Sequence, residues 1–438
     1  MSVTPRRVPR RTFTVGALAL TTALIATGCS GSGADDGVAE DGSVTLTYNT
    51  WIPSVEQWRP IIEAFEAENP DITIDFQGAD GASDYLGQLD NLILAGEVPD
   101  IYGIQVGSSF DDYADFALDT EEYASDWISD VRPDLLESTT TTDGTVAAVP
   151  VLTAGSEFFL YNETLMDELG LDVPTDREGL LAMSEAATAA GYTPFAMGAA
   201  DAWHASDFFV WLTNQYGSGE DVYEAAAGDL DWDSENLVTA AETWQALFDD
   251  GVFQTGATST TTYPSARDDY FMARRSLAMP TGSWHVSATL SGNSETPGSA
   301  VEGDVLGMAP FPTLGDVDAV STTGVDYALA LSSELDGPKL EAAATFAEFL
   351  AVGAGQQTWV DSLQGFPAAS GVEAEIGADE NETAVRSVEI VTEALRSSDV
   401  PRKLTSENEG LESDLGIVLQ NIANGADPAS ELATLNEN

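Results

Sequence analysis

The chain of 438 residues is poor in basic groups and nearly without cysteine or histidine: one Cys, two His and fifteen Lys and Arg stand against 74 Asp and Glu. A single cysteine, Cys29, excludes any disulfide within the chain, so stability must come from an apolar core. The two histidines, His204 and His285, each follow a tryptophan, and no paired cysteines or His-x-x-x-His spacing supports a transition-metal site. Asp229-x-Asp231-x-Asp233 opens like a calcium loop but lacks glycine at the sixth position and glutamate at the twelfth, so it reads as a loop and helix cap. No Gly-x-Ser-x-Gly and no phosphate loop with lysine occurs. No cofactor and no metal are therefore expected. A chain this short of bases has no patch with which to displace counterions from nucleic acid, and no ready attraction for anionic lipid. The acids are dispersed rather than blocked, which is the pattern of a solvated surface.

What is present begins at the amino terminus. Arg6, Arg7, Arg10 and Arg11 precede an apolar stretch from Val15 to Ala26, then Thr27-Gly28-Cys29, and no acid occurs before Cys29. A basic start, an apolar run too short to span a bilayer and small residues before a break define a cleaved export signal over residues 1–28. The pattern resembles a bacterial lipoprotein signal, in which Cys29 becomes the lipidated first residue; Arg10-Arg11-Thr12-Phe13 also resembles a twin-arginine export signal. Losing those four arginines leaves eleven basic residues against 74 acidic ones, a net charge near −63. Residues 29–42 are small, polar and acidic, the composition of a flexible tether.

The folded pattern follows. Val44 to Tyr48, Ile72 to Phe76 and Asp100 to Ile104 read as strands, with amphipathic helices at Val55 to Glu68 and Tyr85 to Ala95 between them. Strands recur at Val146 to Leu152, Glu157 to Tyr161, Thr193 to Met197, Ser276 to Met279 and Tyr327 to Leu331. Helical spacing marks Glu163 to Leu169, Arg177 to Ala190, Asp207 to Tyr216, Ser234 to Asp249, Pro338 to Leu350 and the acidic tail from Glu382 onward. Alternating strands and helices argue for an α/β class with βαβ units and parallel-rich sheets flanked by helices.

In such sheets, ligand contacts come from loops at the carboxyl ends of strands. Trp51 and Ser54 follow the first strand, Asp80 lies in a glycine-rich turn after the second, and Gln105, Ser108 and Ser109 follow the third. Trp203 and His204 lie between the Met197 strand and an aromatic helix, pairing a flat platform with a hydrogen-bonding tip. Phe208 and Trp211 share a helical face and read as core.

The ordered set Phe65-Glu-Ala-Glu-Asn-Pro-Asp-Ile-Thr-Ile74, Leu94-Ala-Gly-Glu-Val-Pro-Asp100, Asp143-Gly144 before Ala148-Val-Pro150, Leu160-Tyr-Asn-Glu163, Leu277-Ala-Met-Pro-Thr-Gly-Ser-Trp284 and Gly365-Phe-Pro-Ala368 resembles the maltose-binding-protein-like group, family 1 solute-binding proteins of carbohydrate importers. The resemblance implies a two-lobe periplasmic-binding-protein-like fold (type II) with a hinge of crossing strands, near Val151 to Gly155 and Asp316 to Gly324. It implies a first lobe of residues 43–153 plus 324–368 and a second of 154–323 plus 369–438. It adds Trp284 as the main stacking aromatic, Glu157 as a hydroxyl-binding acid, and Asp326 and Phe366 as further lining. The implied activity is capture of a di- or oligosaccharide without catalysis and delivery to the permease subunits of an ABC importer, by a monomer held outside the cell membrane through Cys29. Two other readings are a secreted glycoside-processing enzyme, which needs two carboxyl groups roughly 5 Å or 6.5–9.5 Å apart, and a surface carbohydrate-recognition protein that serves no permease.

Overall fold

The computed structural model describes residues 37–39, 41–52, 55–79, 81–107, 110–361, 363, 365–374, 376–406, 408 and 410–437. Residues 1–28, expected to be an export signal, and Cys29, Ser54, Asp80, Ser108 and Ser109 lie outside the described residues. Two sheets organise the rest.

The first sheet is seeded by β1 (Val44–Thr50), α1 (Val55–Glu68), β2 (Ile72–Gly78), α2 (Ala82–Ala95) and β3 (Ile101–Ile104). In β1, Val44, Leu46 and Tyr48 alternate inward, the period-two signature of a strand with one packed face. The two helical crossovers place β1 parallel to both β2 and β3. β4 (Val149–Ser156) adds to this sheet, and β5 (Phe158–Asn162), β6 (Thr193–Phe195) and β7 (Ser276–Thr281) begin the next. After β8 (Leu306–Pro310) come β9 (Thr322–Leu331) and the short β10 (Phe366–Pro367). The sheet orders are β10-β4-β9-β3-β1-β2 and β6-β7-β5-β8.

The expectation of parallel-rich sheets needs correction. Among the strand pairs of the described residues only β1–β2, β1–β3 and β6–β7 are parallel; β9 runs antiparallel to both β3 and β4, β10 antiparallel to β4, and β5 antiparallel to both β7 and β8. Parallel pairing needs a crossover connection, whereas β9 returns from a distant part of the chain and enters between two strands in the opposite sense.

Tyr48, Trp58, Phe65, Leu329, Phe346 and Trp359 lie in the core of the first sheet. In the second, β5 is buried at every position, and its alternate residues serve two faces. Phe159 and Tyr161 join a cluster with Phe195, Phe208, Trp211, Trp244 and Phe311, while Phe158 and Leu160 join another with Met279, Val391 and Leu395. Each such phenylalanine contributes about 2–3 kcal/mol by burial. Phe208 and Trp211 are core, as their shared face suggested.

Between the two cores run β4 and β9, paired from Val149–Leu329 to Ser156–Thr322 with irregular register around Leu152. Leu152 and Val325 still belong to the first core, whereas a side chain at Gly155 would lie 2.3 Å from Leu395 of the second region. A third segment joins them: Ser398 Oγ donates to the Ser321 carbonyl (2.5 Å), Thr323 N to the Val400 carbonyl (2.8 Å) and Arg402 N to the Thr323 carbonyl (2.9 Å). Among the described residues no helix is long and apolar enough to cross a membrane.

Candidate functional site

Each of the two regions gathers aromatic rings beside the crossing strands. Trp51, half-buried directly after β1, packs on Tyr85 (5.2 Å between ring centres) and on Tyr327 of β9 (5.6 Å). Room for it depends on Gly103, where a side chain would approach Trp51 to 2.9 Å and Tyr327 to 2.6 Å. Tyr85 is fixed in turn, its hydroxyl donating to the Gly103 carbonyl at 2.8 Å. Gln105 follows β3 and is half-buried.

On the other side β7 runs into Gly282, Ser283 and Trp284. Gly155 N of the crossing strand donates to Ser283 Oγ (3.1 Å), which anchors this turn to the hinge. Trp284, half-buried, donates from Nε1 to the Tyr263 hydroxyl (2.6 Å), and that hydroxyl also meets Thr281 Oγ1 (2.5 Å). Trp203 lies 4.9 Å from Tyr263 and 6.2 Å from Trp284, and His204 stands edge-on to Tyr263 at 4.7 Å. Trp203 and His204 sit on the first turn of α3 (Ala202–Thr213), not in a loop. This helix starts earlier than its aromatic run suggested because Asp201 precedes it in an extended conformation. The Asp201 carboxylate accepts from Tyr263 N (2.8 Å) instead of capping its own helix.

A buried set of charges completes the site. Arg402 places its guanidinium 4.7 Å from the centre of the Trp284 ring and bonds Asp207 Oδ2 from Nε (2.8 Å) and Asp326 from Nη1. Lys403 pairs with Asp207 (3.1 Å) and Glu412 (2.8 Å). Burial alone would raise the Asp207 pKa, but Arg402 and Lys403 outweigh it and hold the carboxyl below its usual range. Burial likewise works against the charge of Arg402, and Asp207 and Asp326 more than restore it. Arg402, Lys403, Glu412, Gly107, Ser206 and Asp207 line a small, partly open cavity of about 20 Å³. There the two regions meet, since a side chain at Gly107 would lie 3.9 Å from Lys403 and one at Gly81 4.0 Å from Pro264.

Glu157 is buried, with Oε2 lacking a hydrogen bond; burial first, then Asp207, push its pKa well up against the pull of Arg402. His204 is buried too, and burial lowers its pKa to about 4, so the ring is neutral at pH 7. Asp326 thus belongs to the site through Arg402. Phe366 is buried with Phe158, Leu363 and Leu395 in the same cluster as Tyr263, against which Trp203 and Trp284 pack, because β10 pairs with β4 and turns the ring into that core. Two site residues escape a reading of sequence, Tyr263 and Arg402. The signals available were an aromatic before Pro264 in a threonine-rich loop, and an adjacent basic pair in an acidic tail. Among the described residues no group of three His, Cys, Asp or Glu side chains is placed to hold a metal ion.

Flat rings, hydrogen-bonding tips and cations already neutralised by carboxylates suit a ligand with C–H faces and hydroxyl rims. No curated protein matches the chain. Among solved structures, one from work on xylan utilisation by the thermophile Caldanaerobius polysaccharolyticus aligns at 20% identity over 90% of this chain and 99% of that one, with a TM-score of 0.75. Maltose-bound MalE3 of T. maritima aligns at 20% identity over 90% and 98%, with a TM-score of 0.72. The GacH receptor of Streptomyces glaucescens, studied unliganded and with acarbose, aligns at 18% identity over 90% and 96%, with a TM-score of 0.71. These likenesses establish the shared two-lobed α/β fold. Residues 60–385 match the family described as bacterial extracellular solute-binding protein, and the chain belongs to that family.

Proposed function

We propose that this protein captures a neutral di- or oligosaccharide between its lobes, residues 43–153 plus 324–368 and 154–323 plus 369–438, and hands it unaltered to the permease subunits of an ABC importer. The observation that carries this reading is a pair of aromatic groups, Trp51 with Tyr85 and Tyr327 on one side of the crossing strands and Trp203 with Tyr263 and Trp284 on the other. Rings of this kind cover the C–H faces of sugars, and several platforms suit more than one ring. Neutrality of the ligand follows from Arg402 and Lys403, each already engaged by two carboxylates and so unavailable to an anionic group.

Closure is stabilised when contacts from both lobes meet one ligand, and the closed form is what a permease reads. Gln105 and Trp51 supply contacts from the first lobe, and Glu157, His204, Trp203 and Trp284 from the second. Ser54, Asp80, Ser108 and Ser109 stand at the first-lobe strand ends in sequence and belong to the same proposal. Export through residues 1–28, lipidation of Cys29 and a tether to residue 42 hold the receptor outside the cell membrane, as a monomer. Absence of catalysis is supported by Asp207 and Asp326, both of which are engaged in clamping Arg402 and so are not a free acid–base pair.

Isothermal calorimetry with neutral sugars of increasing length tests the reading. Wild type binds one di- or oligosaccharide per chain more tightly than any monosaccharide, and Trp284→Ala weakens that binding by about 2 kcal/mol or more while the variant stays folded. An unchanged Kd removes Trp284 from the site. Turnover of the sugar sinks the receptor reading in favour of a glycoside-processing enzyme, and a gene neighbourhood without permease subunits favours surface recognition.

A further inference from the structure

Arg402 is held more elaborately than a structural ion pair requires. Its backbone N–H is bonded to the Thr323 carbonyl of β9 at 2.9 Å, and Pro401 bridges in parallel to Thr323, so the residue rides on the crossing strand. Its guanidinium joins three segments: Asp207 on α3, Asp326 on β9 and the ring of Trp284. Only 3% of its surface is exposed. Removing a guanidinium this far from water is costly, and the cost is offset only when its donors are satisfied in good geometry. The planar fork meets two carboxylates at its edge while its face remains free to lie on an indole, which a lysine ammonium does not do.

We propose that Arg402 is a positioning residue that couples the seat of Trp284 to the hinge. A shift of β9 moves Asp326, Asp326 moves the guanidinium, and the guanidinium tilts or releases the indole. In the reverse direction a ligand that loads Trp284 biases the crossing strand toward one setting. Trp284 has its other tether in Tyr263, so the ring is held at its nitrogen by one lobe and across its face by the hinge. The coupling rests on Trp284 lying in the ligand site, and its test separates the two.

The experiment is a double-mutant cycle on the full chain, with a ligand-free arm. R402K keeps the positive charge and loses the fork; D326N keeps the shape and removes the charge that strengthens the hinge tether. Binding of the tightest neutral oligosaccharide is measured by calorimetry for wild type, R402K, D326N, W284A and R402K/W284A, with thermal melts confirming the fold. R402K and D326N each raise Kd by about tenfold or more, and R402K adds less than about twofold once Trp284 is absent. Kd values within about twofold of wild type in folded R402K and D326N, or losses that multiply in R402K/W284A, overturn the proposal. Should wild type bind no sugar, the coupling is still read without ligand: R402K shifts the Trp284 indole N–H resonance in a ¹⁵N-tryptophan-labelled sample. An unmoved resonance overturns it.

Discussion

Gly282→Ala is the most discriminating perturbation, because the structure fixes what the new methyl meets. Gly282 has φ −99° and ψ −177°, an extended conformation open to alanine, so the substitution brings no backbone strain. Its Cβ would lie 1.9 Å from Cζ3 of Trp284, 2.2 Å from Cη2 and 2.4 Å from Cε3. Ordinary contact begins near 3.4 Å, so the indole has to retreat by about 1.5 Å. That retreat breaks the 2.6 Å bond from Nε1 to Tyr263 and lifts the ring from Arg402. A neutral hydrogen bond of this kind is worth about 1 kcal/mol and a desolvated cation–π contact about 1–2 kcal/mol. With the platform displaced, sugar affinity falls by about tenfold to a hundredfold, and the melting temperature falls only modestly. Calorimetry of the variant with the ligand found for wild type provides the assay. A Kd within about twofold of wild type would show that the ligand does not use this ring, and the reasoning about Trp284 fails with it.

Three further outcomes concern charge. The Glu157 pKa is raised by burial and Asp207, so above the ordinary 4.5 the unfolded chain releases a proton that the folded chain retains; Glu157→Gln is therefore expected to raise the melting temperature at pH 7 by at least about 2 °C, an advantage that disappears below pH 4.5, and a lowered value refutes it. His204 has the opposite sign: burial depresses its pKa to about 4 from 6.5, so its neutral form costs about 3 kcal/mol of stability as pH falls across that window, and His204→Gln removes that limb from the difference between variant and wild-type stability profiles. With 74 acids in the chain, added sodium chloride screens self-repulsion, and the melting temperature climbs between about 0.05 and 1 M salt; a flat response contradicts a surface dominated by repulsion.

The strands and helices of the first region were legible because their patterns are local. Val44, Leu46 and Tyr48 alternate, and Trp58, Ile61 and Phe65 repeat at helical spacing, whatever lies elsewhere. The start of β9 was not legible: Thr322-Thr-Gly-Val-Asp326 is polar or small, and it becomes strand only by pairing with β4 on one side and touching Pro401 on the other. Leu306 to Pro310 was hidden for the same reason, its strand character coming from Phe158 to Asn162. Of the site, the aromatics announce themselves by type and by their place after strands. Arg402 does not, since its partners are 195 and 76 residues away and only the fold brings them together. Burial of Phe366 was likewise decided by partners distant in sequence, Thr153 among them.

The central claim is that the protein holds an uncharged sugar and lets it go unchanged. Titration of wild type with a graded series of neutral oligosaccharides, followed by tryptophan fluorescence and with the recovered sugar analysed by mass, tests it most directly. The account predicts saturable binding at one site per chain, a change in indole emission, and a ligand of unaltered mass. No saturation with any member of the series, or a sugar returned in shorter pieces, would contradict it.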